Sequence, residues 1–84
     1  MKHLFKRVKR AEYISDYKLL LTFNDKKTKV VNLRLRLIGE VFEPLKELSF
    51  FKKVRVNDDT HTIEWPNEAD FCPDFLYRIG KEVT

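Results

Sequence analysis

The sequence predicts an α+β fold, a small antiparallel sheet of about five strands with two short helices. Three observations carry that expectation. Residues Tyr17 to Asn24 alternate apolar and polar with the period of a half-buried strand, and Thr28 to Leu35 resumes the alternation after a polar turn. The run Val41 to Phe51 then places Phe42, Leu45 and Leu48 three residues apart around Pro44. The segment Thr62 to Tyr77 joins the single tryptophan to two of the three prolines. Strands grouped before and after a helix, without a regular strand-helix alternation, favour an antiparallel sheet. The expected order is strand-strand-strand-helix-strand-strand-helix.

The elements follow in turn. Val8, Ala11, Tyr13 and Ile14 alternate imperfectly over Arg7 to Ile14, a first strand with a bulge, and Ser15-Asp16 makes a turn. Tyr17, Leu19, Leu21 and Phe23 give the clearest strand. Asn24-Asp25-Lys26-Lys27 closes a hairpin onto Val31, Leu33 and Leu35. Pro44 suits the first turn of the central helix. Lys53 to Val56 and Thr62 to Trp65 flank the polar turn Asn57-Asp58-Asp59-Thr60-His61 as a second hairpin. Pro66 stops the last strand, because proline cannot donate to a ladder, and Pro73 opens a final helix that folds Phe71, Phe75, Leu76 and Ile79 back on the sheet. Asp70 and Asp74 flank its start, where carboxylates suit the helix dipole.

With 84 residues and only Gly39 and Gly80 as glycines, residues 1–84 read as one domain without a flexible linker. So small a core leaves little room for a deep pocket and its catalytic supports, and the expectation is a non-enzymatic protein. Cys72 is the only cysteine, so no internal disulfide forms and a reducing cytoplasm is the expected location. No apolar run has the length of a signal peptide core or a membrane span.

Candidate chemistry is thin. His3, His61, Cys72 and the acids show no metal-ligand spacing, and Asn57-Asp58-Asp59 lacks the glycine and closing glutamate of a calcium loop. No metal, cofactor or catalytic residue is therefore expected. Cys72 reads as a buried or cap-position residue, and Glu64, Glu68, Asp70 and Asp74 as caps and solvated acids. Trp65 and Tyr77 read first as core and core-edge residues, with Trp65, Asp70 and Tyr77 forming the candidate protein-binding or structural set.

Charge is unevenly placed. Residues 1–55 hold fifteen Lys or Arg against six acids, and residues 56–84 hold two against seven. If the basic half binds nucleic acid, Lys6, Arg7, Lys9, Arg10, Lys26, Lys27 and Lys29 are the foremost contacts, joined by Lys2, Arg34 and Arg36, with Tyr13 and Tyr17 available for stacking. Such contacts give affinity without reading sequence, and no helix-turn-helix or RNA-binding aromatic motif accompanies them. Solvated strand faces account for the same residues.

The residues from Asp16 to Tyr77 resemble a family of short bacterial proteins known as domain of unknown function 2442. The resemblance rests on Asp16-Tyr17-Lys18-Leu19-Leu20-Leu21-Thr22-Phe23, on Val41-Phe42-Glu43-Pro44-Leu45-Lys46, and on Ile63-Glu64-Trp65-Pro66-Asn67 with Asp70, Pro73, Leu76 and Tyr77. It implies a small α+β fold. Some longer relatives carry a helix-turn-helix domain after this module, which implies proximity to transcriptional regulation or toxin–antitoxin-like gene pairs; a chain ending at Thr84 leaves no room for that domain. Lys26 and Glu68 stand where the family usually has glycine, which bears on turn geometry.

Together these readings lead to a protein-interaction or regulatory-accessory domain. An unknown protein partner is expected first, with nucleic acid as the alternative. Homodimerisation would add core to so small a domain, and no membrane association is expected.

Overall fold

The computed structural model describes residues 6–83, and the expected contributions of Lys2 and His3 lie outside them. Strands β1 (Val8–Ser15), β2 (Lys18–Phe23) and β3 (Thr28–Asn32) form an antiparallel meander. Two 3-10 segments, Arg34–Arg36 and Glu40–Lys46, lead into a short helix α1 (Leu48–Phe51). Then come β4 (Arg55–Asn57), β5 (Thr62–Glu64), helix α2 (Pro73–Ile79) and β6 (Lys81–Glu82). The α+β expectation holds, and the strand pairing refines it. The strands divide into a four-stranded sheet in the order β1-β2-β3-β6 and a separate two-stranded ribbon β4-β5.

Register explains which side faces the core. Tyr13 pairs with Leu19, and Leu19 with Val31; Ala11 pairs with Leu21. Leu19, Leu21, Phe23 and Val31 are fully buried on that face. The opposite face carries the row Glu12, Leu20, Val30 and Lys81 and stays exposed or half-buried. Register shifts between Val8 and Arg10, and between Tyr13 and Ser15, bear out the bulged reading of β1 and bend a strand at the sheet edge.

Phe51, Trp65, Ile63 and Leu76 complete the core. The indole N–H of buried Trp65 donates to the Phe51 carbonyl at 2.8 Å, and the two rings lie 5.6 Å apart. That bond satisfies a polar group that would be costly to bury unpaired. Phe71 packs against Trp65, and Phe42 stacks on Phe71 at 4.8 Å.

The central element is where the sequence reading needed most adjustment. The three-residue spacing of Phe42, Leu45 and Leu48 matches a 3-10 helix, which has three residues per turn, and Glu40–Lys46 takes that form. Strand β6 was not foreseen. It is two exposed charged residues long and carries no apolar periodicity.

Lys26 (φ +73°) and Glu68 (φ +69°) both occupy the left-handed region, as do Asp16 and His61. Their turns demand it: Lys26 donates its N–H to the Phe23 carbonyl in the β2–β3 turn, and Glu68 to the Trp65 carbonyl. These are the two positions where glycine was the expected residue.

Candidate functional site

The feature that stands apart is the loop between β3 and α1. Asn32 ends β3 by accepting the Arg34 N–H on its side-chain oxygen at 2.9 Å, which bends the chain into the first 3-10 turn. Leu33 and Leu37 are buried on either side of that turn. Leu35, between them, is thrown outward and is 82% exposed, and Ile38 is 77% exposed. The expectation that Leu35 shares the core face of a strand with Val31 and Leu33 is therefore corrected. Alternation ends at Asn32.

Two arginines bracket Leu35 and are held by aromatic faces. The Arg34 guanidinium lies 5.1 Å from the Tyr17 ring centre, and that of Arg36 lies 5.3 Å from Phe75 on α2. Cation–π contacts of this kind restrain side chains while leaving the charge available. Among the described residues, neither arginine pairs with a carboxylate. Asn32, Arg34, Leu35 and Arg36 line an open groove of about 460 Å³. A second groove of about 390 Å³ shares Asn32 and Arg36 and is lined further by Lys18, Val30, Ile79 and Lys81. Gly39 (φ +104°) closes this loop in a conformation that only glycine adopts readily.

The foremost nucleic-acid candidates fall elsewhere and split into two groups. Lys6, Lys27 and Lys29 are tied down: Lys6 to Asp25 at 3.3 Å, Lys27 to Glu82 at 2.7 Å, and Lys29 to the Tyr77 carbonyl at 2.8 Å. Tyr77 is gripped from two sides, with the Lys6 ammonium 4.2 Å and the Lys29 ammonium 3.6 Å from its ring centre. Its hydroxyl donates to Asp25, which holds the Asp25 carboxyl down at about 2 and pushes the phenol above its ordinary value. Asp25 and Glu82 thus offset the lysines around them. Arg7, Lys9, Arg10 and Lys26 are exposed, the first three at or beside the start of β1 and the last in the β2–β3 turn. Tyr13 and Tyr17 are half-buried, both with edge contacts to Phe51.

The signature residues act in the architecture. Trp65 is fully buried, and Asp70 makes an isolated bridge to Glu64 beside it. Asn67 fastens the intervening corner to the central loop by donating to the Val41 carbonyl at 2.9 Å. Glu64 is bound by Asn57 and Arg55, which hold its carboxyl below the ordinary value.

A cleft of about 280 Å³ gathers Lys6, Arg7, Thr60, His61, Cys72, Pro73 and Asp74. Cys72 is exposed, which corrects the buried alternative and leaves it at the cap of α2. Asp74 accepts the Lys6 backbone N–H at 2.9 Å. Among the described residues, no hydrogen bond joins the Cys72 thiol or the His61 ring to another side chain, and no group of three His, Cys, Asp or Glu is placed to hold a metal.

The family described as Protein of unknown function (DUF2442) matches residues 8–82. The chain belongs to that family. The match runs from the first residue of β1 to the last of β6, so the family covers both sheets, the outward loop and the Trp65 corner together. No curated protein and no solved structure matches the chain. No helix among the described residues is long and apolar enough to cross a membrane.

Leu35 and Ile38 are the candidate functional residues that the sequence reading missed. The available signal was Asn32, whose side chain favours a turn over strand continuation, followed at once by Arg and Leu in alternation.

Proposed function

We propose that this domain is a non-enzymatic protein-interaction module that docks a partner through the Arg34–Val41 loop. The observation that carries the reading is the exposure of Leu35 and Ile38, two large aliphatic side chains three residues apart in one loop. Leaving both in water forgoes roughly 1.5–3 kcal/mol of burial each, a cost that a partner's surface offsets. Val41, also exposed, lies at the end of the same loop. Buried Leu33 and Leu37 hold the loop, so the outward side chains are presented on a firm base.

Nucleic-acid binding through the amino-terminal residues is the weaker reading, because Asp25, Asp74 and Glu82 interrupt the lysines at that end. Aliphatic side chains at the centre of a surface also offer nothing to phosphate.

Photo-crosslinking in the native host tests the proposal. A photoreactive residue placed at Leu35 is expected to give a discrete protein adduct. The same residue at Thr60, on the ribbon that packs against β1 at the other edge of the sheet, is expected to give none. Equal adducts from both positions, or none from Leu35, would overturn the reading.

A further inference from the structure

Resting on that docking reading, we infer that the Leu35–Ile38 face takes an acidic partner segment, one carrying apolar side chains among aspartates and glutamates. The charge around the face points there. Arg34 and Arg36 bracket Leu35, and Lys18 and Lys81 line the adjoining groove. Among the described residues none of the four is ion-paired, and Arg34 and Arg36 directly flank the exposed Leu35. The positive charge of all four is therefore open to an outside carboxylate.

The two arginines are suited to that task. Each guanidinium is planar, always charged and able to bind a carboxylate through two parallel N–H bonds. Stacking over Tyr17 and Phe75 sets them on either side of Leu35, so less side-chain freedom remains to be lost on binding. An apolar anchor packs on Leu35 and Ile38, and flanking carboxylates meet the arginines.

Other occupants fit less well. A second copy docking about a two-fold axis would set this patch against itself and bring Arg34 and Arg36 towards their own counterparts, where like charges repel. A membrane surface is engaged by an extended amphipathic helix or by several anchors, and the Arg34–Arg36 turn is only three residues long. The face is also small, which suits a short segment held weakly, with a Kd of about 10–100 μM.

Fluorescence anisotropy with synthetic peptides tests the inference on the whole 84-residue chain. The probe is a fluorescein-labelled peptide with leucines among aspartates and glutamates, compared with the same leucines among serines, the same leucines among lysines, and a short DNA duplex. The acidic peptide is expected to bind tightest and to weaken as salt rises. Arg34→Glu combined with Arg36→Glu is expected to raise its Kd at least ~10-fold, and so is Leu35→Ser combined with Ile38→Ser. Circular dichroism checks that each variant stays folded, as their exposure predicts.

Equal binding of the serine peptide, lost in the Leu35→Ser and Ile38→Ser variant, overturns the acidic preference and leaves the docking face standing. Acidic-peptide binding unchanged in that variant overturns both. Preference for the lysine peptide or the duplex, self-association abolished by Leu35→Ser, or no acidic-peptide binding at about 1 mM each overturns the inference.

Discussion

The hydroxyl of Tyr77, on the last helix, donates to the carboxylate of Asp25, in the β2–β3 turn, across 2.6 Å and 52 positions of sequence. Asp25 also accepts the Lys27 N–H at 3.0 Å and an ion pair from Lys6. One carboxylate therefore fastens α2, the first hairpin and the entry to β1 together. Phe23 supports the arrangement, its ring meeting Tyr77 edge-on at 5.0 Å.

Tyr77→Phe removes the bond and keeps the ring. The bond lies at the surface, with the Asp25 side chain 26% exposed, so a modest fall in the urea midpoint is expected. The pH dependence gives a sharper test. Asp25 falls from an ordinary 3.8 to about 2 in the folded protein, with the Tyr77 bond as the largest cause. A depressed carboxyl contributes stability that is fully present above about pH 4 and lost as pH falls towards 2. The wild type should lose stability more steeply than Tyr77→Phe across that interval. At the other extreme the Tyr77 phenol is raised, so its contribution is lost as pH climbs past 10.

Lys26 and Glu68 hold left-handed backbone that a residue with a Cβ adopts at a cost of roughly 1–2 kcal/mol. Glycine relieves that cost but gives back part of it as unfolded-chain entropy. Lys26→Gly and Glu68→Gly are each expected to stabilise the domain by about 0.5–1 kcal/mol in equilibrium unfolding. Gly39→Ala should do the reverse by about 1–3 kcal/mol, although a Cβ there meets nothing within 4 Å, because the penalty lies in the backbone alone.

Trp65→Phe shrinks a fully buried ring and leaves the Phe51 carbonyl without its indole donor. A loss of about 2–4 kcal/mol is expected, followed by circular dichroism because the variant lacks the only tryptophan. A cost below ~0.5 kcal/mol would contradict the place of Trp65 in the core and its bond to Phe51.

Leu35 and Leu33 make a matched pair for separating surface from core. Leu33→Ala should cost about 2–5 kcal/mol, while Leu35→Ser should change stability by no more than about 0.5 kcal/mol. Equal urea midpoints for the two variants would contradict the outward placement of Leu35.

Much of the architecture was legible because period-two alternation and prolines act locally. Tyr17 to Phe23 gave β2, and Pro73 gave the start of α2. Burial of Trp65 and Leu76 followed from the apolar faces of the elements that carry them. The division into two sheets was not legible, because pairing partners are set by long-range packing. Alternation alone also extended β3 through Leu35, since the pattern Val31, Leu33, Leu35 is the same whether or not Asn32 turns the chain. That local competition between a strand ladder and an Asn side chain concealed the outward loop. The basic candidates were visible as residues, but Asp25, Asp74 and Glu82 reach them only in three dimensions.

Chemical-shift mapping by ¹⁵N NMR tests the location of the docking face most directly. On adding the leucine-rich acidic peptide to the labelled domain, the largest amide changes are expected at residues 32–41, with lesser ones at Lys18, Ile79 and Lys81 along the adjoining groove. Changes centred instead on Arg7 to Arg10, or on the cleft between His61 and Asp74, would contradict the account.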